Sequence, residues 1–496
     1  MTAYHAVSGL DFANLPSVAA VQAFLDRKRP AKGTFEDFER ELGQLVRKVE
    51  CEVKEAELSR YDVDAEAIVI DGKEYHRCLE KEPKEYLSSS GRITVARNLF
   101  RLASGSKAVC ALDLRAGMVG PCTALLTRQV SFLMGHMTSS ETMSVFKEMG
   151  IEGPSSSTCD RVPKLVSPAW EANREAWEAA LRAKETVPAE ATVLACSLDG
   201  VLVPDREAQR EAKAIREEAQ KKGLSKKASG PAGYREVGCG TVTLYSPADN
   251  PKSDDPEERS PQRLATVRYA REPEYKKQTL TAQLDAEVDS ILAVRPDLTL
   301  VAIADGAEEN WRYFEGPRWL NALKIVDHGH ASQHLKAAMS ACYGDTVRGR
   351  AEYERLRLIL RDEHGGVDHV IDHLDKLDRK LYRQRHPRRR EDLAKERRYF
   401  RNQRERMDYA RYQELGLPIG SGIVEAACKT LATQRLKRSG MNWGAGKQPI
   451  LTIRSLQQSD RWARGWSLVA AAFRRPVSQI KTYGTLRSIE RLSLAA

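Results

Sequence analysis

Two short apolar runs each deliver an aspartate followed at once by a glycine: ACSLDGVLV around Asp199, and LVAIADGAEENW around Asp305. Apolar runs of this length bounded by turn residues read as strands buried on both faces. Asp199 is expected to end the first strand of such a sheet and Asp305 a central one. If the strands are neighbours, two carboxylates lie a few ångströms apart, which is unfavourable unless a cation lies between them. Gly200 reads as a position where a ligand can approach the backbone, and Asp305 is likewise followed by a glycine, Gly306. A third acidic residue, Glu425 in PIGSGIVEAACK, opens a helix, with Pro418, Gly420 and Gly422 as a flexible entry and Ser421 as its cap.

The elements around these carboxylates have a defined order. TVLACSLDGVLV, YREVGCGTVTLYS and LATVRYA read as strands, KKQTLTAQLDAEVDSILAV as a helix, LTLVAIADG as a strand, and ALKIVDHGHASQHLKAAMSA as a strand running into a helix. This β, β, β, α, β, α, β, α order predicts an α/β, ribonuclease-H-like mixed sheet with carboxylates at strand ends. Residues 205–233 are charged and poor in apolar residues, and read as a solvated insertion. Residues 345–417 read as long charged helices inserted into the core. Within Lys376–Arg411 there are 15 Lys/Arg against 6 Asp/Glu, with Tyr and Phe interleaved. A run this lopsided, Arg388, Arg389 and Arg390 included, reads as a track for phosphates rather than only a solvated helix face.

The region before the core is mostly helical. FEDFERELGQLVRKVECEVKEAELSRYD places Phe38, Leu42, Leu45, Val46, Val49 and Val53 near a 3.6 period, the pattern of a packing helix or a self-association face. AIVIDGKEYHRCL reads as a hairpin turning at Asp71-Gly72, and GRITVARNLFRLA as a further strand. SSETMSVFKEMGIEGPSSSTCDRVPKLV reads as helix, turn, helix. Ser140 is the expected cap of the first helix, Gly150 its end, and Ser155 or Ser156 the cap of the second. The second helix opens with Ser157, Thr158, Asp160 and Arg161, the small polar and Arg side chains a recognition helix presents to the major groove. A separate acidic linker helix, PAWEANREAWEAALRAKETVPAEA, is expected next.

Composition narrows the class of partner. The net charge is +10 over 496 residues with 30% charged residues, which favours a polyanion. No apolar run approaches the ~20 residues of a membrane span, and the N-terminal residues lack the charge and apolar pattern of a signal peptide. Nine cysteines stand singly, at 51, 78, 110, 122, 159, 196, 239, 342 and 428, which argues against a disulfide framework or zinc ribbon and for a reducing compartment such as the cytoplasm. His328, His330 and His334 do not assemble with any cysteine into a convincing tetrahedral set, so His330 reads as a group orienting something near the acidic centre.

Taken together, Asp199 in SLDGV, Asp305 in ADGAEENW, Asp327-x-x-His330 in VDHGHASQHL, Glu425 in GSGIVEAACK and the block RSGMNWGAGKQPILTIRSL resemble bacterial insertion-sequence transposases of the ISKra type, relatives of the Mutator-like DDE superfamily. The likeness covers roughly residues 90–470. It implies that Asp199, Asp305 and Glu425 form a DDE triad holding two Mg²⁺ or Mn²⁺ ions, that Asp327 and His330 support it, and that the helices between His334 and Glu425 are an insertion into the core. A cysteine-pair zinc module near the N-terminus, carried by some members, is not found here, and the 205–233 insertion is longer than the likeness leads one to expect.

The expected activity is DNA cleavage at mobile-element ends followed by strand transfer, with double-stranded DNA as partner and a homo-oligomer assembled on it. Element ends are expected to meet Ser157, Thr158 and Arg161. Phosphates are expected to meet Arg388, Arg389, Arg390, Lys429, Arg435, Lys437 and Arg438. Lys429, one turn after Glu425, has a simpler reading as its i,i+4 salt-bridge partner, and Trp443 either stacks on a base or packs. Two other readings stay open: a metal-dependent nuclease of the same fold, and a catalytically idle DNA-binding regulator. The expected division is 1–105 as an α+β region, 106–185 as helix-turn-helix and linker, 186–475 as the catalytic domain, and 476–496 as a tail.

Overall fold

The computed structural model describes residues 10–27, 33–222, 233–248, 260–439, 441–444, 446–483 and 486–492. Two compact units organise the chain: Met1–Glu178 with Arg461–Ala496, and Ala179–Asp460. The strands described are β1 (Ala67–Ile70), β2 (Lys73–Ser88), β3 (Gly91–Arg101), β4 (Val109–Cys110), β5 (Val193–Pro204), β6 (Tyr234–Ser246), β7 (Gln262–Arg271), β8 (Thr299–Ala304), β9 (Leu323–Val326), β10 (Ser478–Tyr483) and β11 (Leu486–Arg491).

In the first unit the sheet order is β11-β10-β1-β2-β3-β4. The expected tail therefore supplies two strands, with β10 pairing antiparallel to β1. Asp71 and Gly72 both have positive φ, +48° and +76°, the backbone of a tight two-residue hairpin turn, and they join β1 to β2 as expected. The helix Phe35–Ser59 opens on a capping box made by Thr34 and Asp37. Its Leu58 enters a core with Tyr86, Ile93, Val95 and Leu112. Most of its expected apolar stripe is only half-buried, with Phe38 stacked on Phe24 at 5.2 Å.

The helical pair beyond it differs from expectation at two points. The helix Ser139–Glu148 is capped by Thr138, not Ser140, because Thr138 and Glu141 bond reciprocally as a capping box. Gly150, at φ +67°, follows its end. Ser155 Oγ accepts from the Thr158 amide at 3.3 Å, so Ser155 opens the second helix. That helix then runs unbroken from Ser156 to Arg182 through Pro163 and Pro168, so the linker helix is not separate. Proline removes a hydrogen bond but leaves a helical φ available, and Val162, Val166, Trp170 and Leu181 along this helix are all buried.

In the second unit the sheet order is β7-β6-β5-β8-β9. β5 pairs antiparallel with β6 along its whole length and parallel with β8, while β6–β7 is antiparallel and β8–β9 parallel. One face packs the helix Gln278–Val294. A Cβ at Gly238 or Gly240 of β6 would come within 2.8 Å of Leu280 and 2.7 Å of Leu284, so these glycines let that helix sit close on the sheet. Lys276 and Lys277, expected as its first residues, lie outside it with φ of +51° and +53°. The charged segment after β5 forms the helix Arg206–Lys221, capped by Asp205. The rest of the expected insertion, 223–232, lies outside the described residues.

Helices Val347–Asp362, Gly366–Arg383, Pro387–Gln403 and Tyr409–Glu414 form the expected insertion. They pack with the helix His328–Tyr343 and bury Leu356, Leu360, Leu374, Leu393 and Phe400 in the same core as the sheet. Among the described residues no helix is long and apolar enough to cross a membrane.

Candidate active site

Parallel pairing of β5 with β8 runs from Val193↔Thr299 to Leu198↔Ala304. The next residue on each strand is acidic, so Asp199 and Asp305 fall side by side at one end of the sheet. Asp199 does not end its strand as expected: β8 stops at Ala304, but β5 continues to Pro204 because β6 still pairs with it. Asp199 lies directly opposite Cys239 of β6, so the two side chains share a face. On that face the helix Gly422–Ala427 meets β5 and β6. It continues as a π-helical turn, Cys428–Thr433, and a last turn, Gln434–Leu436. Cys428 Sγ donates to Asp199 Oδ2 at 3.5 Å, while Oδ1 accepts from the Gly200 amide at 2.7 Å.

Burial first, and then the charge of Asp305, pushes the Asp199 carboxyl above its ordinary range, although the Gly200 amide, Cys428 and His330 pull it back. Glu425 is shifted the same way by burial, by Asp327 and by Asp199, against His330. The acidic residues therefore sense one another across the site. Asp305 Oδ1 accepts from the Ala307 amide and from Asn310 Nδ2, both at 3.0 Å. Trp311 Nε1 donates to the Asp305 carbonyl at 2.7 Å. Both Asn310 and Trp311 are buried; they belong to the same AEENW motif, but sequence reading assigned them no role.

Asp327 and His330 have distinct tasks. Asp327 is 2% exposed. Its Oδ1 accepts from the His330 amide at 2.6 Å, capping the helix His328–Tyr343, and its Oδ2 accepts from the Ser421 amide. The His328 amide donates to the Ile419 carbonyl at 2.9 Å. The entry to the Glu425 helix is thus pinned to the end of β9. Ser421 makes no side-chain cap; its amide is what matters. His330 Nε2 lies 3.2 Å from Glu425 Oε1. Replacing Asp327 by Ala uncaps one helix and strands a buried amide. The expected loss is about 2–4 kcal/mol, read by urea denaturation, with Asp327→Asn milder.

The other two histidines point elsewhere. His328 is half-buried, edge-on against Tyr409, and desolvation together with Arg361 lowers its pKa to about 4. His334 stacks on Tyr399 at 3.6 Å and pairs with Glu396 at 2.7 Å. Tyr399, from the insertion, lies against Gly306: a Cβ there would fall 2.2 Å from its ring. Gly200 is likewise approached by the Glu236 carboxylate. Both glycines admit protein side chains; at Gly200 an approaching ligand was expected.

The basic residues divide into two groups. Arg435 is 2% exposed, with its guanidinium 5.0 Å over the Trp443 ring. Its burial removes it from the phosphate contacts expected of it. Trp443 packs, donating Nε1 to the Leu436 carbonyl at 2.9 Å and bridging to Asp205. Arg390, Arg397 and Arg401 pair with Asp378 or Asp375 of the preceding helix, Arg404 with Asp368, and Arg406 with Glu315. These five arginines of the basic run therefore tie elements together, Arg390 included. Arg388, Arg389, Lys429, Lys437 and Arg438 are exposed, as are Ser157 and Arg161 in the other unit, with Thr158 partly so. Among the described residues Lys429 makes no ion pair with Glu425, whose partner is His330.

Among the described residues no three His, Cys, Asp or Glu side chains converge closely enough to hold an ion as they stand. The donor set still suits one: Asp199, Asp305 and Glu425 offer hard carboxylate oxygens, and two of the three are held above their ordinary range by burial and mutual repulsion. Asp305 Oδ2 has no protein donor among the described residues. No known family model and no curated protein matches this chain.

Proposed function

We propose that this chain is a DNA transposase of the DDE type, which cleaves at the ends of a mobile element and joins them to target DNA. The observation that carries the reading is the β5–β8 register, which brings Asp199 beside Asp305 under the helix bearing Glu425. The strand order and directions, with a helical insertion before that helix, support a ribonuclease-H-like core. The helices Ser139–Glu148 and Ser156–Arg182 support a helix-turn-helix.

Asp199, Asp305 and Glu425 would hold two Mg²⁺ or Mn²⁺ ions. Such a pair, when bound, activates the attacking oxygen and stabilises the leaving one. His330 orients Glu425, Asp327 secures the loop that carries it, and Asn310 holds one oxygen of Asp305. Ser157, Thr158 and Arg161 would meet the element ends, and the exposed basic residues would meet phosphates. Two ends must be cut together, so a homo-oligomer on DNA follows, in the cytoplasm with the nucleoid.

The test uses the purified protein and a labelled fragment carrying the element end with its flanking DNA, in Mg²⁺ or Mn²⁺. Nicking at the boundary and joined product, both lost in Asp305→Asn, support the reading. Cleavage without joining would indicate a nuclease, and binding without cleavage in either protein a regulator.

The exposed arginines allow a separate check. The double variant Arg388→Ala/Arg389→Ala is expected to weaken binding equally on all DNA sequences. It should reduce the slope of log affinity against log salt by about 2, one unit per phosphate contact. An unchanged slope places the DNA path elsewhere.

A further inference from the structure

The turn before the helix Gln278–Val294 holds two consecutive non-glycine residues, Lys276 and Lys277, in the left-handed region. This conformation is unfavourable for a residue with a Cβ and persists only where the surroundings impose it. Its result here is the placement of one ammonium group. The Lys277 side chain is 11% exposed, and its Nζ lies 2.8 Å from Glu236 Oε1. Nζ also donates to Asn310 Oδ1 at 3.2 Å. Asn310, 3% exposed, spends its Nδ2 on Asp305 Oδ1 at 3.0 Å. A continuous path thus runs from Glu236 through Lys277 and Asn310 to Asp305.

An amide can turn over, exchanging its oxygen for its nitrogen, unless its partners forbid it. Lys277 has only donors to offer, so it selects the Asn310 oxygen and leaves the nitrogen to face the carboxylate. Glu236 anchors the ammonium from the other side. Asn310 therefore donates to Asp305 and never competes with it as an acceptor. We propose that Lys277 is a positioning residue: through Asn310 it fixes Asp305 so that Oδ1 is engaged and Oδ2 is presented to a divalent ion. This rests on the two-ion reading of the site.

The sign of the effect separates positioning from simple charge. A lysine near carboxylates acting by charge alone weakens cation binding, so its removal tightens it. A positioning lysine has the opposite signature. Mn²⁺ binding to the full-length protein is measured by calorimetry for wild type, Lys277→Met, Lys277→Arg and Asn310→Ala, with melting temperatures recorded beside them.

Lys277→Met and Asn310→Ala are expected to weaken Mn²⁺ by about tenfold, the lower end of what loss of an outer-shell partner costs. Lys277→Arg should recover most of the affinity. Unchanged or tighter binding in Lys277→Met that melts as wild type overturns the positioning role while leaving the two-ion reading intact. Wild type that binds no Mn²⁺ overturns that reading and this proposal with it. If Lys277→Met fails to fold, the comparison of Lys277→Arg with Asn310→Ala decides: equal affinities near wild type would overturn the proposal.

Discussion

On the proposed transposase reading, replacing Asp199 with Asn is expected to abolish DNA cleavage while making the metal-free protein more stable. The two effects have one physical origin. Asp199 is placed where burial and the neighbouring Asp305 disfavour its charge, and an isosteric amide removes that charge and the repulsion with it. A carboxyl whose folded pKa is raised contributes stability only at low pH and loses it as pH rises through the raised value. At neutral pH the aspartate is therefore a net cost that Asn relieves. If Asp199 is the metal ligand proposed above, activity should fall by more than the ~10–100-fold typical of a lost outer-shell partner. Thermal unfolding checks the pairing: Asp199→Asn should melt above wild type without metal, and Mn²⁺ should raise the wild-type melting temperature but not the variant's. A variant that melts lower without metal would show that Asp199 serves the fold and not an ion.

Lys447→Met is expected to be the most damaging single change away from the carboxylates. Lys447 and Asp205 form an ion pair with side chains 7% and 3% exposed. Asp205 also accepts from the Ala208 amide at 2.9 Å to cap the helix Arg206–Lys221, and lies 3.5 Å from Arg235. Burial alone would raise the Asp205 carboxyl, but the hydrogen bonds from Lys447 and Ala208 and the nearby charges outweigh it and hold it below its ordinary range. Removing one member of a buried pair strands the other charge, at about 3–5 kcal/mol. The pair's contribution is present above the ordinary carboxylate range and is lost as pH falls through the lowered Asp205 value. Urea midpoints at neutral and acidic pH test both statements: the gap between wild type and Lys447→Met should be large near neutrality and should close in acid. A gap that stays constant would mean that Lys447 acts through packing alone. Asp205 stands at the end of β5, so this pair also clamps the strand that carries Asp199 to the helix Lys447–Gln458.

Strands β5 to β9, the helix Gln278–Val294, the helical insertion and the Asp71-Gly72 hairpin were legible from local pattern. Apolar period and turn chemistry are properties of neighbouring residues, and they survive folding unchanged. The helix boundaries were less so. Thr138 displaced Ser140 because Glu141 completes a reciprocal cap, and Lys276 and Lys277 left their helix for a conformation that local propensity disfavours. The basic run is legible along the chain as an excess of charge, but the pairing of its members is not. In space Arg390, Arg397, Arg401 and Arg404 pair with Asp368, Asp375 and Asp378 of the preceding helix, and Arg435 is buried over Trp443.

By itself the sequence determined that Asp199 and Asp305 each follow an apolar run that forms a strand, and that a charged helical segment separates Asp305 from Glu425. Only the tertiary structure decided that Asp199 and Asp305 are neighbours, since strand register is set by packing between segments about a hundred residues apart. It alone decided that Asp327 ties the Glu425 loop to β9, and that Asn310 and Lys277 stand behind Asp305. Hydrogen bonds between distant segments leave no period and no spacing in a chain. They exist only once burial has removed water as the competing partner.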